Sequence, residues 1–150
     1  MSPDTLLSSY QDKLKGMVIN HVWNGHGTAI ILEIGKLTYP KKGGKLNNNP
    51  DGEYTIMIEW DWRLEVNRKI MSGSGQETKE FMRTLNQLVG YEIIYLEVTG
   101  QIPEIKLKFS NGFILKSFMT YNDDPEWAIM NHTSSALPTL MVKEGRLSSE

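Results

Sequence analysis

The 150-residue chain is predicted to fold as one sheet-rich α+β domain made of two similar halves, each a helix followed by antiparallel strands (an αβββ unit). Three observations predict it. Two amphipathic segments each end at a glycine. Short runs alternate apolar and polar residues between turn residues. These features recur in the same order over residues 3–65 and 74–131, with a polar tail over 132–150.

Ser2-Pro3 reads as a helix start, with Ser2 as cap and Pro3 in the first turn, where its missing N–H is harmless. Leu7, Tyr10 and Leu14 then share one face, and Gly16 can end the helix in a left-handed conformation. Met17 to Trp23 reads as a strand, Asn24-Gly25-His26-Gly27 as a turn, and Thr28 to Ile34 as the returning strand with Ile30, Leu32 and Ile34 inward. Lys36 to Asp51 breaks the pattern with a long Lys/Gly/Asn loop. Glu53 to Glu65 reads as one strand carrying Tyr54, Ile56, Ile58, Trp60 and Trp62 in a single phase, and Lys69 to Met71 as a short further strand. Ser74-Gly75-Gln76-Glu77 matches a capping box. The helix after it presents Phe81, Leu85 and Leu88 and stops at Gly90. Tyr91 to Val98, Glu104 to Phe109 and Phe113 to Met119 read as strands. The last two are joined by Ser110-Asn111-Gly112, whose Asn-Gly pair readily takes positive φ. Asp124-Pro125-Glu126-Trp127 is expected to open a short helix or turn, and the residues from His132 onward to pack poorly, with Leu137 to Val142 the part able to dock.

The halves align residue by residue. Leu7 falls on Phe81, Leu14 on Leu88, Gly16 on Gly90 and Ile19 on Ile93. After one extra residue in the turn, Ile30 falls on Ile105, Leu32 on Leu107 and Ile34 on Phe109. Neither half could bury its apolar face alone, so the two should join in one sheet or pack as two, with at least six strands and two main helices in all.

Composition narrows the chemistry. The apolar fraction of 39% and charged fraction of 23% are those of a packed chain. A net charge of −2 lacks the basic surplus that drives general nucleic-acid binding, so nucleic acid is an unlikely partner. Cysteine is absent, which excludes disulfides, thiolate nucleophiles and Cys-ligated metals, and favours a reducing compartment. Met1-Ser2-Pro3-Asp4 does not resemble the start of a secretory signal, and the longest apolar runs, such as Ala29 to Leu32, fall far short of a membrane span. The expectation is a cytoplasmic protein without membrane attachment.

Candidate sites are few. His21, His26 and His132 show no metal-ligand spacing, so no metal and no cofactor is expected. Glu59 and Asp61, on one side of a strand backed by Trp60 and Trp62, could share a proton or a cation. They better suit a solvated strand face with Arg63 as a cross-charge, backed by a tryptophan pair in the core. Asp123, Asp124 and Glu126 form a second acidic spot, explained by a helix start. The lysines of the Lys36–Asp51 loop match no phosphate-binding motif. No nucleophile is paired with a base, so catalysis has little support.

The second half has a further look. It runs from Phe81 to Leu88, through Gly90 and Glu97-Val98, to Lys106-Leu107-Lys108-Phe109-Ser110-Asn111-Gly112, and closes on Asp123, Asp124, Glu126 and Trp127. This resembles small bacterial proteins of uncharacterised function that end in a strand, an F-S-x-G hairpin, another strand and an acidic-Trp segment. Their preceding strand with Trp and I-x-x-G-S turn would correspond to Trp60, Trp62 and Ile70 to Ser74. The resemblance covers about Tyr54 to Met130. It implies an α+β fold, a bacterial setting and the role of an immunity protein, and supplies no active residues. The expected function is therefore a non-catalytic protein-binding module of the immunity or inhibitor kind, which occludes a partner such as a bacterial toxin. A small enzyme using Glu59/Asp61 or a histidine, and a self-associating structural protein, are the alternatives. The expected anchors are Trp23, His26, Lys41, Lys42, Lys45 and Asn48, together with Asp123, Asp124 and Glu126, and the partner is another protein or a second copy.

Overall fold

The computed structural model describes residues 1–40, 48–122 and 125–150. Among these, the first half forms α1 (Pro3–Leu14), β1 (Ile19–Asn24), β2 (Ile30–Ile34), β3 (Tyr54–Ile58), β4 (Trp62–Val66) and β5 (Lys69–Gly73). The second forms α2 (Thr78–Leu85), a single 3-10 turn (Asn86–Leu88), β6 (Ile93–Thr99), β7 (Glu104–Phe109), β8 (Ile114–Ser117), β9 (Trp127–Asn131), β10 (Leu140–Lys143) and β11 (Arg146–Ser149). The strands make two antiparallel sheets, β1-β2-β3-β9-β10-β11 and β5-β4-β8-β7-β6. The protein is thus α+β and rich in sheet, as its patterning predicts. No helix among the described residues is long and apolar enough to cross a membrane.

The two halves interlock. Each keeps a helix and three strands in order, and then sends its next strands into the other half's sheet: β4 pairs with β8, and β9 with β3. Corresponding residues make corresponding bonds where the halves meet. Gly16 N–H donates to Ile93 O at 2.7 Å and Gly90 N–H to Ile19 O at 2.8 Å. Ile93 N–H donates to Met17 O and Ile19 N–H to Tyr91 O, both at 2.9 Å. A bridge between Val18 and Glu92 lies between these pairs. Gly16 and Gly90 both adopt positive φ, 86° and 95°, where a side chain would be strained. β1 and β6 also bulge at equivalent places, between Ile19 and His21 and between Ile93 and Tyr95.

The inner faces of both sheets and both helices feed one apolar cluster. Ile30, Leu32 and Ile34 of β2 and Ile56 and Ile58 of β3 are fully buried, and so are Ile105, Leu107 and Phe109 of β7. From α1 the buried residues are Leu6, Tyr10 and Leu14; Leu7, expected on that face, packs at its margin. The α1 helix ties the sheets together, since Gln11 Nε2 donates to Leu96 O of β6 and the Tyr10 hydroxyl donates to Pro138 O, before β10, at 2.6 Å.

Burial, reinforced by neighbouring Tyr54, pushes the Tyr10 pKa up from 10.0 to about 12. In the unfolded chain the proton leaves near pH 10, in the folded chain only near 12. The stability linked to Tyr10 is therefore full below about pH 10 and is lost as pH rises through 12. Chemical denaturation from pH 9 to 12 is expected to show a fall in stability that Tyr10→Phe lacks; parallel curves for both proteins would exclude this coupling.

Four local expectations are corrected. Residues Glu53 to Glu65 are two strands in different sheets, separated by a crossing at Glu59–Asp61. That crossing is fixed by Glu59 N–H to Glu126 O and Phe118 N–H to Asp61 O, both 3.0 Å. Trp62 is consequently buried, whereas Trp60 is half-buried beside Tyr121. Ser74 does not cap α2: its hydroxyl binds the backbone of Trp62, and Glu77 occupies the cap position without a side-chain bond. Glu126-Trp127 leads into a strand, because Ile58 pairs with Trp127. The tail is structured: β10 and β11 form a hairpin that buries Leu140 and Val142 completely.

Candidate functional site

The six-stranded sheet turns one face to the core; on the other, Ile31, Glu33, Thr55 and Ala128 are buried and Trp23, His21, Met57 and Met130 are half-buried. Side chains two residues apart share a face, and the register arranges this second face in rows. One row runs Trp23, Ile31, Met57, Ala128; the next runs His21, Glu33, Thr55, Met130. The first is an apolar strip. The second places a carboxylate in the middle of a sheet.

Glu33 is only 1% exposed. It is held from three directions. Trp23 Nε1–H donates to Oε2 at 2.9 Å, Gly52 N–H donates to Oε1 at 3.1 Å, and the Thr55 hydroxyl makes a very short bond to Oε1. Gly52 reaches it because its backbone lies against that of Ile34, where a Cβ would collide with the main chain. The 48–52 segment is fastened by reciprocal backbone bonds between Thr38 and Asp51, at 2.7 and 3.0 Å, and by His21 Nε2 to Asn49 Oδ1 at 2.7 Å.

His132, just after β9, is held by its N–H to Glu53 O at 2.9 Å, and its Nε2 lies 2.8 Å from Thr55 Oγ1. The single Thr55 hydroxyl proton is directed at Glu33, so Thr55 accepts from His132 Nε2–H. One ligand atom each of Glu33, Asp51 and His132 lies within 4.8 Å of the other two. Thr55 is itself 4% exposed, so its hydroxyl links Glu33 to His132 and is not presented as a nucleophile.

These residues border an open groove of about 670 Å³, which Trp23, His26, Ile31, Met57, Glu59 and Met130 continue away from Glu33. The volume falls within the range of roughly 300–1,000 Å³ usual for ligand sites. A second hollow of about 280 Å³, lined by Lys36 and Glu53, meets it at Asp51 and His132.

Of the anchors named from sequence, Trp23 and His26 line this groove, and Trp23 is tied to Glu33. Asn48 is exposed beside Asn49, which lines it. Glu126 is buried, its backbone bonded to Glu59 and Val142, so it is not a surface anchor. Lys41, Lys42, Lys45, Asp123 and Asp124 lie outside the described residues. Glu59 lines the groove, while Asp61 accepts from the Thr120 hydroxyl at 2.9 Å. Glu33, Asp51 and Thr55 were not singled out from sequence, although a carboxylate within Ile30-Ile31-Leu32-Glu33-Ile34 is itself a signal. No family model, curated protein or solved structure matches the chain.

Proposed function

We propose that the protein is a non-catalytic binding module of the immunity or inhibitor kind, which occludes another protein, such as a bacterial toxin, through the groove on its six-stranded sheet. The observation that carries this reading is the contrast between corresponding positions of the two sheets. Where β2 has Ile31 and the buried Glu33, β7 has Lys106 and Lys108, both half-exposed. The scaffold therefore holds without a groove at the corresponding strands of its other sheet, whose own hollow of about 310 Å³ lies at β4 and β5, and the groove is an addition to it. Its walls are an aromatic ring and two methionines on rigid strands, an arrangement suited to an apolar anchor from a partner. Among the described residues its charged lining is Glu33, Asp51 and Glu59. The resemblance to small immunity-like proteins and the lack of cysteine support the same reading in a cytoplasmic setting.

A photo-reactive residue at Met57 tests it in the source cell. The expected result is one cross-linked protein, absent when the residue is placed at Lys108 on the other sheet. Trp23→Ala should then weaken binding of that purified protein by about 2 kcal/mol, roughly 30-fold. Cross-linking from Lys108 alone, or unchanged affinity for Trp23→Ala, would remove the groove from the interface.

A further inference from the structure

The geometry points to a divalent transition-metal site at the inner end of the groove, with Glu33, Asp51 and His132 as protein ligands and zinc as the fitting ion. The three come from β2, from the segment before β3 and from just after β9, so the fold alone brings them together. One imidazole and two carboxylates suit Zn²⁺ better than Mg²⁺ or Ca²⁺, which favour all-oxygen sites. Three protein ligands leave a fourth position open to the groove.

The supporting shell is already in place. Metal-bound histidines almost always donate their other ring N–H, and metal-bound carboxylates are themselves hydrogen-bonded. Thr55 donates to Glu33, and His132 Nε2, bonded to Thr55, is the ring nitrogen on the Glu33 side and the one that would turn to the ion. Trp23 and Gly52 fix the Glu33 carboxylate from its other sides. Ligand atoms around a tetrahedral zinc stand roughly 3.4 Å apart, as follows from bonds of about 2.0–2.1 Å. The 4.8 Å limit observed closes to that spacing as the exposed His132 ring turns from Thr55 to the ion and the half-buried Asp51 carboxylate exchanges its present contacts for it. The two hollows that meet at Asp51 and His132 give the ion access. A bound ion would pin the 48–52 segment to β2 and β9.

The test uses the intact chain without a partner, so its outcome is separate from whether the groove takes a protein. Zinc chloride is titrated calorimetrically into metal-free protein, and cobalt chloride is followed by its visible absorption. The expected result is one ion per chain, bound at least about tenfold more weakly by His132→Ala and by Asp51→Asn. Both positions are at or near the surface, and circular dichroism verifies that each variant is folded. His26→Ala should bind zinc as the wild type does, and magnesium should not compete. No zinc heat and no cobalt band at millimolar metal would overturn the site. So would wild-type affinity in both His132→Ala and Asp51→Asn.

Discussion

Replacing Trp62 or Trp127 with alanine is expected to destabilise the protein by about 3–5 kcal/mol in each case. Both side chains are fully buried. Trp62 meets the Phe81 ring edge-on, with centroids 5.1 Å apart. Each also makes a bond that truncation would leave unmade: Trp62 Nε1–H donates to Thr28 O and Trp127 Nε1–H to Pro103 O, both at 2.9 Å. Thr28 and Pro103 sit in the β1–β2 and β6–β7 turns. Each tryptophan therefore starts the strand that leaves its own half and ties that strand back to its own half's hairpin. The loss combines a transfer term, a large cavity and an unpaired carbonyl, buried at Pro103 and partly buried at Thr28. Against a typical stability of about 5–15 kcal/mol, either change removes a large share. Phenylalanine at the same positions should cost less, since it keeps most of the ring and drops the donor. Urea denaturation measures both; an unchanged midpoint for either alanine variant would show that these rings do not hold the crossing strands.

Ending the chain after Leu137 is expected to have an effect of similar size. It removes β10 and β11, and with them Leu140 and Val142, both fully buried. Burial of each such side chain contributes about 1.5–3 kcal/mol, so the loss is roughly 3–6 kcal/mol before other contacts are counted. Tyr10 would lose its bond to Pro138 O, and β9 would become an unpaired edge, an invitation to aggregation. Calorimetry of the shortened chain should show no cooperative transition near that of the full chain. A transition at the same temperature would restore the tail to the loosely packed status that its polar composition suggests.

The chain reveals its local structure better than its long-range pairing. Gly16 and Gly90 mark helix ends because they do adopt positive φ, and Asn111-Gly112 marks a hairpin for the same reason. The crossing at Glu59–Asp61 is invisible for a physical reason: Tyr54, Ile56, Ile58, Trp62 and Leu64 keep one phase of alternation while the chain passes between sheets. Periodicity records which face is buried and carries no information about which strand lies alongside. The C-terminal hairpin did leave a signal, in Leu140 and Val142 alternating before Glu144-Gly145, both of positive φ. The site was legible only in part. Trp23, His26 and Glu59 were recognisable as side chains that a surface would use. Asp51 and His132 acquire meaning only through the β2–β3 and β3–β9 register, which joins positions far apart in sequence.

The indole N–H of Trp23, which donates to Glu33 inside the groove, gives the most direct test of the central claim. Its signal in a proton–nitrogen correlation spectrum is identified by its loss in Trp23→Phe, and is followed while the cross-linked partner is added. With partner, this signal is expected to move or broaden, while those of the buried Trp62 and Trp127 stay in place. A Trp23 signal that holds still while residues of β6 to β8 respond would contradict it.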